Sequence, residues 1–154
     1  MPSGDIHYRY FKSGYILMLP ASIITMFMNF DIGLGILAGY TFHRWCDNDL
    51  DIMGASACEG RQVNELPVVG HFLFGISSTY GSMFRRYHRK FITHFPFVST
   101  AIRLLFFGMP IYFMLKSFDF NFNTIPVYYF IVSFWIGLSL ADSIHYVLDM
   151  LYGD

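Results

Sequence analysis

The chain has 154 residues, of which 55% are hydrophobic, 20% aromatic and only 14% charged. This composition is far more apolar than that of an ordinary soluble domain, and it predicts an all-α, polytopic membrane protein that forms a single domain over residues 1–154. The net charge of −1, without a basic tract, excludes a nucleic-acid partner held by phosphate neutralisation.

The first two apolar runs predict a helical hairpin. Residues 14–30 are long enough to cross a hydrocarbon core of about 30 Å with a slight tilt. A polar turn at residues 29–31 separates this run from a shorter second run at residues 32–42. Gly35 and Gly39 recur at the spacing that lets a neighbouring helix approach closely. We therefore expect the second run to span the membrane in tight contact with another helix.

A long polar connection, residues 45–95, follows the hairpin. Its one apolar stretch, residues 66–80, is interrupted by proline and glycine, which predicts an interfacial or re-entrant helix. The connection also holds Cys46 and Cys58, which we expect to be free thiols on the cytoplasmic side. The alternative is a zinc site that joins them to His43, although their spacing matches no paired CxxC motif.

The second half of the chain predicts another hairpin, which brings the total to about four transmembrane helices. The third run covers residues 97–115, and Pro110 within it predicts a kink. The fourth run, residues 125–140, continues to Asp149 without a helix-breaking residue. One helix should therefore carry its last turns out of the membrane.

The basic residues predict the orientation of these spans. If the N-terminus lies on side one, a single clearly placed basic residue, Lys116, lies on side two. The basic residues of side one are Arg9, Lys12, Arg44, Arg61, Arg85, Arg86, Arg89 and Lys90. This asymmetry predicts that side one, with the N-terminus, is cytoplasmic.

The candidate metal ligands fall just before or after an apolar run, always towards side one. They are His7, Asp49, Asp51, His88, His94, Asp142, His145 and Asp149. Imidazole and carboxylate groups are common ligands of zinc and manganese. Their convergence predicts a divalent-metal site, with zinc or manganese, at the cytoplasmic face of the membrane.

Each part of this set has a simpler interpretation. Asp142, His145 and Asp149 are spaced i, i+3 and i+7, so they share one stripe of a helix, but they could merely solvate its end. His88 and His94 require a turn between them, and the alternative is a basic anchor for lipid headgroups.

The remaining candidates precede or follow the first hairpin. Asp49 and Asp51 place alternate carboxylates on one side of an extended segment, and the alternative is a solvated acidic turn. His7 and His43 flank the first hairpin and could complete a site. Taken singly, each of these two is an ordinary interfacial histidine.

Several of these motifs together resemble a known family. They are Met1-Pro2-Ser3-Gly4 with His7, Asp49-Leu50-Asp51, His88-Arg89, Thr93-His94 with Pro96, and Asp142, His145 and Asp149. The chain resembles a family of uncharacterised metal-binding membrane proteins, a domain of unknown function related to predicted membrane-bound metal-dependent hydrolases. The resemblance implies all eight candidate ligands as site residues. Asn48 and Thr93 depart from the proline and serine usual in that family.

The expected function is a membrane-bound, phosphoesterase-like hydrolase that acts on a phosphoester or a lipid headgroup. Divalent ions would lower the pKa of a bound water and stabilise charge on a phosphoryl oxygen. Arg89 would help bind the anion, and Asp51 or Asp142 would act as general base. The alternatives are a metal-stabilised membrane scaffold or partner-binding protein and, less favoured, a transporter, because Arg103 and Asp142 are the only ionisable groups expected deep in the spans.

Overall fold

We describe the fold from a computed structural model of the chain. The structure describes residues 4–47, 57–87, 90–122 and 124–152, except for the side chains of residues 4–8, 57, 58, 91, 92 and 152. Over these residues all regular structure is helical, as predicted. The helices are α1 (Gly4–Met28), α2 (Phe30–Phe42), α3 (Ala57–Glu65), α4 (Val69–Phe84), α5 (Phe91–His94), α6 (Pro96–Lys116) and α7 (Ile125–Tyr152), with a 3₁₀ turn at Arg85–Tyr87.

Three of the helices are long and apolar enough to cross a membrane. The crossing segments are Arg9–Met28 in α1, Pro96–Lys116 in α6 and Ile125–Leu151 in α7. Helix α2 is apolar but has 13 residues, a length of about 20 Å at 1.5 Å per residue. The structure therefore confirms the all-helical fold and has three candidate membrane spans among the described residues, whereas a fourth span through α2 stays a prediction.

Helices α1 and α2 form the predicted hairpin. Asn29 alone separates them, and its Oδ1 accepts a hydrogen bond from the Ile32 amide at 3.2 Å, so it caps the N-terminus of α2. Asp31, expected in the turn, lies instead in the first turn of α2, where the helix dipole favours a carboxylate. Tyr40 donates a hydrogen bond to the Phe11 carbonyl at 2.8 Å, which joins α2 to α1 in antiparallel contact.

Helix α2 packs most extensively against α7. A Cβ added to Gly35 would lie 2.7 Å from the Phe130 carbonyl oxygen, and one added to Gly39 would overlap the Phe134 carbonyl oxygen. Gly137 makes the reciprocal approach to the Ile36 carbonyl oxygen. These glycines let the two backbones touch, as the sequence predicts.

The long connection folds into α3 and α4, which pack on each other. The Gln62 amide donates to Ser77 Oγ at 2.8 Å between the two helices, with both side chains buried. Leu73 and Tyr80 of α4 then form an apolar core with Phe107 of α6. The apolar stretch expected at residues 66–80 thus forms a helix, and its entry into the membrane stays a prediction.

The outer surfaces of the long helices are apolar. Phe27 is 88% exposed and Leu17 is 76% exposed on α1, and Ile125 is 70% exposed on α7. Large apolar side chains at such exposure over several helices are typical of a lipid-facing surface. The polar side chains of His94, Asp142 and His145 are buried instead.

Candidate metal centre

The C-terminal turns of α7 supply two of the predicted ligands. Helix α7 runs unbroken from the apolar run past Asp149, as predicted. His145 and Asp149 are therefore one helical turn apart on one face. The distance from His145 Nε2 to Asp149 Oδ2 is 3.2 Å.

The third ligand comes from the short helix α5. The Thr93 hydroxyl donates to the Tyr87 carbonyl at 2.5 Å, which closes the turn before His94. Thr93 Oγ1 also lies 3.2 Å from His94 Nδ1, so this side of the imidazole ring is occupied. The opposite nitrogen, His94 Nε2, lies 3.7 Å from Asp149 Oδ2.

His94, His145 and Asp149 thus form a compact group of metal-ligand type. One ligand atom from each residue lies within 4.8 Å of those of the other two. His94 is 4% exposed and His145 is 3% exposed, while the Asp149 side chain is 17% exposed. Two imidazoles and a carboxylate are the donor set of many divalent-metal sites, so these residues could hold a metal ion.

Asp142 lies beside this group but does not join it. Its Oδ2 accepts hydrogen bonds from Arg103 Nη2 and the Thr100 hydroxyl, and its Oδ1 lies 2.9 Å from His43 Nδ1. The carboxylate is completely buried. Its expected roles as metal ligand and general base would need another arrangement, because both oxygens are already engaged.

Arg103 was predicted only as an isolated charge inside a span. The structure places its guanidinium, completely buried, between Asp142 and the Cys46 carbonyl, to which Nη1 donates. Charged side chains are costly inside a membrane unless they are paired. The sequence could therefore have predicted that Arg103 pairs with an acidic residue of another span, because an unpaired charge there would be costly.

His43 is the second residue that the sequence analysis undervalued, since it was interpreted there, taken singly, as an ordinary interfacial histidine. It follows the end of α2 and is 6% exposed. Its ring centroid lies 6.1 Å from that of His145, the same distance that separates the rings of His94 and His145. Contact with Asp142 on one side and His145 on the other places His43 between the ion pair and the candidate metal group.

Five predicted site residues cannot be placed in this geometry. Asp49, Asp51, His88 and Arg89 lie outside the described residues. His7 lies on α1, but its side chain is outside the described part of the chain. The structure therefore brings together His94, His145 and Asp149, as predicted, and leaves these five as predictions.

Comparisons with protein families, curated proteins and solved structures give no match to this chain. The resemblance to the family of metal-binding membrane proteins thus stays a prediction. The candidate site is defined by its geometry alone.

Proposed function

We propose that this protein is a membrane-embedded metalloprotein that hydrolyses a phosphoester or a lipid headgroup. The observation that supports it is the convergence of His94, His145 and Asp149 from α5 and α7 on one small volume. These residues lie at one end of two long apolar helices, where a lipid headgroup would be within reach once the helices cross a membrane. Lipid is accordingly the expected partner of the chain.

A divalent ion such as zinc or manganese, bound by these three side chains, would polarise a phosphoryl oxygen and activate water. The chain's own residues supply the rest of the site. Asp149 lies between the two imidazoles and offers the negative charge that a cation needs. Three protein donors are also the usual number at catalytic zinc sites, which keep a position for water.

The proposal includes the residues that lie outside the described geometry. His7, Asp49, Asp51 and His88 would hold a further divalent ion, Arg89 would bind the anionic substrate, and Asp51 would act as general base. Asp142 takes a positioning role, because Arg103 and His43 engage its carboxylate. In the proposed topology α2 is a fourth span, and the metal site and the N-terminus face the cytoplasm, as the basic residues predict.

Burial of the ligands favours one alternative. His94 and His145 are both almost inaccessible, so an ion held there could serve as a staple between α5 and α7 without turnover. The protein would then be a metal-stabilised membrane scaffold or a partner-binding protein. The two functions share the metal and differ in whether a substrate reaches it.

The first experiment measures metal in protein purified in detergent without chelator, by inductively coupled plasma mass spectrometry. We expect zinc or manganese in the wild-type chain and its loss in His94→Ala and His145→Ala. His71→Ala is the matched control, since His71 is exposed on α4 and its Nδ1 contacts the Pro67 carbonyl at 2.7 Å. A wild-type chain without metal above background would contradict the proposal.

A second experiment separates the hydrolase from the scaffold. The metal-loaded protein is assayed against a panel of phosphoesters and phospholipids, beside Asp149→Asn. The hydrolase requires turnover that chelator and Asp149→Asn both abolish. Bound metal with no turnover, together with a melting temperature that falls on chelation, supports the scaffold.

A further inference from the structure

The tautomer of His43 is set by its neighbours. Asp142 is held by Arg103 and Thr100 and accepts hydrogen bonds, so His43 Nδ1, at 2.9 Å from Oδ1, is the donor. A neutral imidazole with its hydrogen on Nδ1 carries a lone pair on Nε2. This lone pair lies on the side of the ring away from Asp142. A neutral imidazole with such a lone pair is the form of histidine that binds metals.

A histidine paired with a carboxylate is the usual form of a metal ligand in proteins. Ligating histidines almost always donate their second ring nitrogen to a carboxylate, a carbonyl or water, which orients the ring and raises its basicity. His43 meets this description, since its side chain is 8% exposed and donates to a completely buried carboxylate. The hydrogen bond therefore orients the imidazole ring.

His43 is also close to the candidate metal group. The rings of His43 and His94 both pack against that of His145, each with its centroid 6.1 Å from that of His145. The close-packed ligand atoms are those of His94, His145 and Asp149, so His43 stands at the edge of the group. Movement of the His43 ring towards His145 would bring a fourth donor to the ion.

From this geometry we infer that His43 is a fourth ligand of the metal ion, oriented by the buried pair of Asp142 and Arg103. This inference rests on the proposed metal site. It changes the donor set to three imidazoles and one carboxylate, which suits zinc. Four protein donors would complete the closed shell typical of structural zinc sites, so hydrolysis would require the site to admit water as a further ligand.

The experiment loads the purified full-length protein with cobalt(II), whose visible absorption reports ligand number and type, and measures its affinity by zinc competition. The test variant is His43→Gln, because the glutamine amide can still donate to Asp142 while the imidazole donor is lost. His71→Ala is the control. Circular dichroism and gel filtration in detergent establish that each variant is folded.

We expect His43→Gln to weaken cobalt binding by at least about tenfold, since even mutations of residues that only support metal ligands reduce affinity by about that factor. The visible spectrum of bound cobalt should also change. The His71→Ala variant should match the wild type. Equal affinity and spectra in wild type and His43→Gln would overturn the fourth ligand and leave the three-ligand site intact. A wild-type chain that binds neither cobalt nor zinc would overturn the proposed function itself.

If the His43→Gln variant does not fold, a second measurement tests the inference on the wild-type protein. Wild-type protein is treated with diethylpyrocarbonate with and without zinc, and the modified histidines are identified by peptide mass spectrometry. Zinc should protect His43 and leave the exposed His71 unchanged. The reaction is continued until His43 is labelled in the zinc-free protein, and an equal rate of labelling of His43 with zinc would overturn the inference.

Discussion

Arg103 of α6 and Asp142 of α7 form an ion pair in which both side chains are completely buried. The pair joins two of the three candidate membrane spans. Because the Asp142 carboxylate also contacts His43, the same pair connects the packing of the bundle to the candidate metal site.

Removing one partner of this pair should be strongly destabilising. Arg103→Met leaves the Asp142 carboxylate buried without its counter-charge, and Asp142→Asn does the same to the guanidinium. Each single change should cost roughly 3–5 kcal/mol of unfolding free energy, measured by chemical denaturation in mixed micelles. The double variant should cost clearly less than the sum of the two. Strict additivity would show that the two residues do not act as a pair.

The close contact of α2 with α7 predicts that a glycine-to-alanine substitution lowers stability inside the contact but not outside it. Gly39→Ala should cost about 1–3 kcal/mol, because its Cβ would overlap the Phe134 carbonyl oxygen. At Gly108 of α6 an added Cβ meets nothing within 4 Å. Gly108→Ala should therefore be neutral or stabilise by up to about 1 kcal/mol. Thermal unfolding of both variants in detergent tests this, and equal destabilisation would contradict the close approach of the helices.

Cys46 should be an unreactive thiol in the folded protein. Burial raises the pKa of Cys46 to about 12, so almost no thiolate forms at neutral pH. Since the thiolate is the nucleophile, alkylation should be slow until the protein unfolds. The measurement is the rate of maleimide labelling by mass spectrometry in a Cys58→Ser background, with and without denaturant. Rapid labelling without denaturant would refute the buried position.

Glu65 provides a pH-dependent contribution to stability outside the membrane spans. Arg44 donates to it through Nε at 2.7 Å and Nη2 at 2.5 Å, and these hydrogen bonds hold the pKa of Glu65 below its ordinary value. A lowered carboxyl pKa stabilises the folded state above the ordinary glutamate value of about 4.3, and this stabilisation is lost as the pH falls through the lowered pKa.

Glu65→Gln should therefore lower the unfolding free energy at pH 7 by less than about 1 kcal/mol, because the pair is partly exposed. The difference from wild type should shrink towards pH 3. The control is Asp119→Asn, at an exposed turn position with a φ of 58° that asparagine also tolerates. A difference that grows as the pH falls would have the wrong sign for this ion pair.

Much of the fold follows from local pattern. The apolar runs predict helices α1, α2, α6 and α7, and the missing breaker before Asp149 predicts the unbroken length of α7. Gly35 and Gly39 predict a close helix contact, although their spacing does not say that α7 is the partner. Helix α3 was not predicted, because its nine residues are too few and too polar to form an apolar run.

The candidate site shows the same division. Residue type and spacing indicated His94, His145 and Asp149 as candidate ligands, and the structure brings the three together. The spacing of Asp142 places it on the stripe of His145 and Asp149, yet the structure pairs it with Arg103 and His43. Helical spacing predicts which face of the helix a side chain lies on. Its binding partners depend on the residues that the tertiary structure packs against that face.

The sequence by itself determined the all-helical fold class, the positions of the apolar helices and the candidate ligand residues at their ends, because composition and periodicity are local properties of the chain. Only the tertiary structure decided which polar groups meet. Arg103 lies 39 positions from Asp142 and His43 lies 99 positions from it. Their contacts arise because a buried charge must find its partner wherever the packing of the helices brings one within reach.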